Sequence, residues 1–206
     1  MVLNNPYCPY KNMESKKFDP KQIRKLTDPA RYEFQSPDLI WDTLNPVKPE
    51  VLIDIGAGTG FFALPFADKA IDCRIYACDT SEFMIQWMTE NIPERYINRI
   101  IPLLSTENSI KLESGSADLV YMINLHHELN NPLEMLKECL RLLKNGGQLL
   151  VIDWKDSITP MGPPLSIRIS AQEIQRQVME VGFKNVRQHS VLSYHSFIVG
   201  EKVLKK

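Results

Sequence analysis

One stretch constrains the fold more than any other: Val51-Leu52-Ile53-Asp54-Ile55-Gly56-Ala57-Gly58-Thr59-Gly60-Phe61-Phe62, an apolar run that stops at an acid and then carries glycine at alternate positions. The apolar half reads as a buried strand, the glycines as a sharp loop, and the closing Phe61-Phe62 as the start of a helix. Without a Cβ, Gly56, Gly58 and Gly60 permit a tight turn and let a ligand lie against the backbone. Phe62, Leu64, Phe66 and Ala67 suit a helix packed on a sheet, with Pro65 confining or kinking its regular part. Strand, loop and helix together make one crossover unit of an α/β fold.

Spacing separates the ligands such a loop can serve. A dinucleotide fingerprint, G-x-G-x-x-G, needs its third glycine at position 61, which is Phe61. A Walker phosphate loop needs a closing Gly-Lys-Ser/Thr, and no lysine occurs between Val51 and Asp68. The pattern present, Asp54-x-Gly56-x-Gly58-x-Gly60, resembles the first motif of the class I S-adenosylmethionine-dependent methyltransferases. That resemblance implies a loop of Asp54, Gly56, Ala57, Gly58 and Gly60 under the methionine part of S-adenosylmethionine, with the leading acid helping to hold it.

Before the loop, residues 1–17 show no helical or strand period and form a solvated tail or a lid. Phe18-Asp19-Pro20 offers a cap and a first-turn proline, predicting a short helix from Pro20 to Leu26. Ser36-Pro37 starts another, with Leu39, Ile40, Thr43 and Leu44 on one side and Asn45-Pro46 closing it. After the loop, Arg74 to Cys78 is a second strand ending at Asp79-Thr80-Ser81. An acid there can accept two hydrogen bonds from a ribose diol, or cap the helix beyond it. In that helix Phe83, Trp87 and Met88 are the apolar positions, and Met84 is placed to rest against an adenine. Arg99 to Leu104 is a third strand, marked as an edge or an end by Pro102. The polar residues after it, Ser105, Thr106 and Glu107, lie where the family binds adenine; Ser105 stands in the usual acid's place, so Ser105 or Glu107 supplies the polar contact.

Ala117 to Ile123 is a fourth strand that empties into Asn124-Leu125-His126-His127, at the carboxyl end where open α/β sheets bind ligands. A helix begins at Asn131-Pro132, with Leu133, Leu136, Leu140 and Leu143 at helical spacing and Asn145-Gly146-Gly147 as its stop. The run from Leu140 to Gly147 resembles the family's R-x-L-K-P-G-G turn, with Asn145 in place of proline. Gln148 to Asp153 is a fifth strand, and the proline-rich stretch from Thr159 to Pro164 suits a pocket wall. Ser170-Ala171-Gln172-Glu173 is a capping box, and Val186 to Leu192 and Phe197 to Val203 make a closing hairpin. The expected architecture is a Rossmann-like, doubly wound, seven-stranded, mostly parallel sheet with a C-terminal antiparallel hairpin. Residues 1–36 form an arm and short helix, a candidate lid, and 37–206 the methyltransferase domain.

The chain resembles most the small-molecule, type 11 branch that includes ubiquinone and menaquinone biosynthesis methyltransferases. The resemblance implies transfer of a methyl group from S-adenosylmethionine to a small-molecule acceptor, with S-adenosylhomocysteine as product. The methyl leaves a cationic sulfur as a neutral thioether is released, so alignment and exclusion of water are the main demands and no metal is required. A hydroxyl acceptor also needs a base, and His127, with an ordinary pKa of about 6.5, suits neutral pH. His126 and Asp153 are the alternatives, and Asn124 opens the same loop. The histidines otherwise cap the next segment or pack against the cofactor. With 24 Lys and Arg against 25 Asp and Glu, the formal net charge of -1 gives no pull toward nucleic acid or anionic membrane. No Asn/Asp-Pro-Pro-aromatic or Pro-Cys motif marks a base methylase. Cys8, Cys73, Cys78 and Cys139 lack metal-ligand spacing and read as reduced thiols, and no apolar run spans a bilayer, which makes a cytoplasmic location the expectation. A protein or RNA methyltransferase, and a cofactor-binding module without turnover, are the competing readings.

Overall fold

The computed structural model describes residues 23–203; the expectations for residues 1–17 and for a helix start at Pro20 lie outside them. Seven strands form one sheet: β1 (Val51–Ile55), β2 (Arg74–Asp79), β3 (Ile100–Leu104), β4 (Ala117–Ile123), β5 (Leu143–Trp154), β6 (Lys184–His189) and β7 (His195–Glu201). Their order is β3-β2-β1-β4-β5-β7-β6, with β1 to β5 parallel and β7 antiparallel to both of its neighbours. Pro102 accordingly sits on an edge strand, where a missing N–H costs no ladder bond. The chain winds outward from β1 through β2 to β3, then returns to the other side of β1 as β4. That reversal opens a crevice above the carboxyl ends of β1 and β4, the usual ligand site of such sheets.

Strand residues alternate between two cores because successive side chains point to opposite faces. Leu52, Leu119, Tyr121, Leu150 and Ile152 face one layer with α2 (Pro37–Leu44), α3 (Ala63–Lys69) and α4 (Glu82–Asn91). Ile53, Ile55, Val120, Met122, Leu149 and Val151 face the other, with α5 (Pro132–Leu142) and α6 (Ala171–Val181). A four-residue helix, α1 (Ile23–Leu26), and a 3-10 turn (Pro29–Glu33) precede α2. The caps at Ser36 and Ser170 form as their spacing requires: Ser36 Oγ accepts from Leu39 N at 3.3 Å and Ser170 Oγ from Glu173 N at 3.1 Å. Pro65 is the third residue of α3, where a helix has no internal partner for an N–H, so the ring removes no helical bond.

Three local expectations are corrected. α5 ends at Leu142, three residues before Asn145, because Leu143 already pairs with Ala117 across the sheet and is fully buried there. The backbone at Gly147 then passes so close to the Lys144 and Ala117 carbonyls that a Cβ would stand 3.0 and 3.2 Å from them, so the glycines shape a strand entry and not a helix stop. Both strands of the closing hairpin begin two residues earlier than expected, and the first also ends three residues earlier, at His189. Lys155 draws residues 192–194 into a connection instead: its Nζ donates to the Leu192 and Ser193 carbonyls, each at 2.9 Å, and its backbone N to Tyr194 O at 3.0 Å. Finally, the buried faces of α2 and α4 take in the expected Ile40, Leu44 and Met88 but not Leu39 or Phe83. Leu39 and Phe83 are exposed, while Ile40, Leu44, Met84 and Met88 are buried.

Candidate active site

A cavity of about 990 Å³ opens over the carboxyl ends of β1, β2 and β4. Its floor is the glycine loop, pinned to β2 by Ala57 N donating to Cys78 O and Gly58 N to Asp79 Oδ2, both at 2.9 Å. Asp79 Oδ1 accepts from Ser81 N at 2.9 Å, and it is Ser81, not Asp79, that caps α4 through Met84 N. A carboxylate oxygen has more than one acceptor site, so holding the loop does not by itself bar a strand-end acid from accepting from a diol. Gly56 is held at φ +69, and a Cβ there would fall 2.7 Å from the Leu125 side chain. Only glycine fits that approach of β1's loop to β4's loop. Gly60 does not line the cavity; it turns behind the loop, where a Cβ would meet Met88 Sδ at 3.5 Å.

Asp54, the penultimate residue of β1, lies beside Tyr121 in the sheet register and is 4% exposed at the cavity floor. Burial pushes its carboxyl up to about 8; the Tyr121 hydroxyl pulls the other way without reaching good hydrogen-bond geometry, and the charge of Asp79 adds to the rise. A carboxyl so placed is poised to receive a cation. Thr80, Met84, Ser105, Thr106 and Glu107 line the adjoining wall. Ser105 N donates to the Asp79 carbonyl at 2.9 Å, and Asn130 Nδ2 donates to both Glu107 oxygens at 3.1 and 3.2 Å, which closes the far end.

The opposite wall grows from the end of β4. Asn124 N completes the ladder to Ile152 O at 2.8 Å, and the residue then takes φ +61, throwing the chain outward into a 3-10 turn, His126–Glu128. The turn sends the two histidines in different directions. His126 is fully buried away from the cavity, its Nε2 2.8 Å from Gln177 Oε1 on α6, and burial lowers its pKa. His127 lines the cavity, and Asp153 at the end of β5 grips it twice: Oδ2 accepts from the His127 backbone N and Oδ1 from Nδ1, both at 2.7 Å. Asp153 itself is 1% exposed and acts on the cavity only through His127. Burial alone pulls the His127 pKa down, but the hydrogen bond and charge of Asp153, aided by Glu128, outweigh it and raise the net value.

Two further walls come from segments outside the strand ends. Residues 28–36 cross over the glycine loop: Tyr32 stacks on Phe61 with ring centroids 4.3 Å apart and donates its hydroxyl to Phe61 O at 3.0 Å. Gln35 and Asn124 exchange amide hydrogen bonds at 3.0 and 3.1 Å. The loop after Trp154 is held by Arg168, which donates to the carbonyls of Pro163, Lys155, Ser157 and Met161 and to Thr159 Oγ1. Met161, Gly162 and Pro163 of that loop reach the cavity, as do Arg31, Phe34 and Trp154. No period or motif marks Arg31 or Phe34 as residues of a site.

A family model described as "Methyltransferase domain", type 11, matches residues 53–151. A solved structure of an S-adenosylmethionine-dependent methyltransferase from Aquifex aeolicus superposes with a TM-score of 0.84 at 31% identity, covering 91% of this chain and 100% of that one. The chain belongs to the class I S-adenosylmethionine-dependent methyltransferases. Among curated relatives of this methyltransferase, the tRNA (guanine(37)-N(1))-methyltransferase Trm5b of Pyrococcus abyssi is 28% identical over 84% of the chain and 51% of its own length. The ubiquinone/menaquinone biosynthesis C-methyltransferase UbiE of Paracoccus denitrificans is 25% identical over 58% of the chain and 48% of its own length. The chain thus spans about half the length of these two relatives. S-adenosylmethionine fits the residues present: a buried acid for a cation, a loop that admits a ligand where Cβ atoms would stand, and a strand-end carboxylate for a diol. Among the described residues no helix is long and apolar enough to cross a membrane.

Proposed function

We propose that this methyltransferase acts on a small organic acceptor through an ionisable hydroxyl, with His127 as general base. The observation that carries the reading is the pairing of His127 with Asp153 at the cavity wall, Nδ1 to Oδ1 at 2.7 Å. A carboxylate on Nδ1 makes that nitrogen the donor and leaves Nε2 as the basic site, the arrangement that lets an imidazole take a hydroxyl proton. Bound S-adenosylmethionine supplies an electrophilic methyl on a cationic sulfur. Asp54, Asp79 and the glycine loop are the residues that hold it, with Met84 and residues 105–107 at its adenine end. Trp154, Phe34 and Pro163 line the same cavity as His127 and give it apolar surface, suited to an aromatic acceptor and to keeping water out.

A second reading, an RNA acceptor, is favoured by the similarity to a tRNA methyltransferase over 84% of the chain. Against it, among the described cavity residues the acids Asp28, Asp54, Asp79, Glu107 and Glu128 outnumber the cations Lys25 and Arg31, a poor lining for a polyanion. Incubation with methyl-labelled S-adenosylmethionine and either a panel of phenols and quinols or total tRNA separates the two. Label in the small-molecule fraction, lost by roughly 10²–10⁴-fold in His127→Ala with cofactor affinity intact, supports the proposal. Label in RNA refutes it.

A further inference from the structure

Two hydrogen-bond acceptors stand side by side at the cavity wall. His127 Nε2 lies 3.8 Å from Glu128 Oε1, beyond hydrogen-bond reach, and both residues line the cavity. Their side chains are 5% and 19% exposed, so each is largely shielded from bulk water. The 3-10 turn His126–Glu128 sets their spacing, and Asp153 sets their polarity. Asp153 Oδ1 accepts from His127 Nδ1 and from Trp154 N, both at 2.7 Å, while Oδ2 accepts from His127 N at 2.7 Å. A carboxylate held on three N–H groups makes Nδ1 the protonated nitrogen of the neutral ring, and Nε2 carries the lone pair. An ionised glutamate is likewise an acceptor only.

Adjacent acceptors dictate what a molecule entering the site must bring. A ring with a hydroxyl and, beside it, an ether or a carboxylate satisfies one of them and sets a lone pair or a like charge against the other, a mismatch that shielding from water makes costly. A ring with donors on two neighbouring carbons satisfies both. Its two substituents can each lie about 2.7–3.0 Å from one protein atom when those atoms are 3.8 Å apart. We propose that Glu128 selects an aromatic acceptor carrying a second hydrogen-bond donor, a hydroxyl or an amine, on the carbon next to the reacting hydroxyl, and rejects one carrying a carboxylate there. Nε2 takes the reacting hydroxyl and Glu128 the neighbouring donor, so the glutamate also decides which way round the ring enters. This role of Glu128 rests on the hydroxyl acceptor read from His127 and narrows it to a substitution pattern.

The test is calorimetric titration of the S-adenosylhomocysteine-loaded protein with phenol, catechol, 2-aminophenol, guaiacol and salicylate, for the wild type, Glu128→Gln and Glu128→Ala. Guaiacol keeps the ring and one hydroxyl but puts a methoxy group in place of the second donor. The wild type binds catechol and 2-aminophenol roughly 10–100-fold more tightly than guaiacol, the range of a hydrogen bond to a charged group, and binds salicylate most weakly. Glu128→Ala binds catechol and guaiacol alike. Glu128→Gln keeps part of the preference and gains affinity for salicylate, because the charge is gone and the amide can donate. Each ratio is read within one protein, so a general loss of affinity cancels. Thermal melting identifies the variants that fold; should Glu128→Ala not fold, a several-fold smaller catechol-to-guaiacol ratio in Glu128→Gln supports the proposal. A wild type that binds catechol and guaiacol alike, or a ratio unchanged in every folded variant, overturns it. Failure of the wild type to bind any of the five, with S-adenosylhomocysteine itself bound, would instead reject the phenolic acceptor beneath it and the role of Glu128 together.

Discussion

Asp54→Asn should make the ligand-free protein more stable while weakening its hold on S-adenosylmethionine. The Asp54 carboxyl has a pKa of about 8 in the folded protein and one of about 3.9 in the unfolded chain. The folded state therefore binds a proton that the unfolded state has lost between those values, and stability falls as pH rises from about 4 to about 8. At pH 7 the accumulated cost is about 4 kcal/mol, from roughly three pH units at 1.36 kcal/mol each. An asparagine keeps the shape without the ionisation, at the expense of burying an amide that lacks partners, about 1–3 kcal/mol. The net gain of about 1–3 kcal/mol raises the melting temperature by roughly 3–10 °C for a chain of this size. The same substitution removes the counter-charge for the cofactor's ammonium, and affinity drops roughly 10–100-fold. Wild-type binding near pH 7 should release a proton as the arriving cation ionises Asp54, and affinity should climb with pH up to about 8. Scanning fluorimetry measures the first effect, and calorimetry in buffers of different ionisation heat measures the others. A lower melting temperature in Asp54→Asn, or proton release that persists in it, would refute the reasoning.

The raised His127 pKa places the acid limb of kcat/KM above the ordinary histidine value, since the base must be neutral to work. Asp153→Asn removes the group that raises it, so the limb should move to lower pH as turnover drops; an unmoved limb would assign it to another group. Gly56→Ala combines φ +69 with a Cβ 2.7 Å from Leu125, and should cost about 1–3 kcal/mol in denaturant unfolding. Leu125→Ala makes room, so the double variant should be less destabilised than the sum of the two, and strict additivity would argue against the clash. Arg168→Ala frees the loop after Trp154 from five acceptors; proteolysis between residues 155 and 168 should accelerate and the acceptor KM rise, with S-adenosylhomocysteine affinity unchanged.

Local sequence determined those features whose physics is local. The strand-glycine-helix unit at 51–69 needs only a buried apolar run and residues free of Cβ strain, and the caps at Ser36 and Ser170 need one hydroxyl three residues from an N–H. The acids near strand ends were legible too, because a parallel strand that runs into a loop delivers its closing residues to the carboxyl edge of the sheet. Tertiary structure decided which of these groups share a site. His126 and His127 are adjacent in sequence and alike in composition, yet a 3-10 turn after a left-handed Asn124 buries one against Gln177 and brings the other to the cavity. Asp153 becomes its positioning residue because β5 lies next to β4, a neighbour relation that pairing alone establishes. Arg31 and the strap around it carry no motif. Their place over Phe61 comes from hydrogen bonds and ring contacts spanning 29 and 89 residues of chain. Contacts that distant depend on the sheet that brings their partners together, and they leave no period in the sequence for a local reading to find.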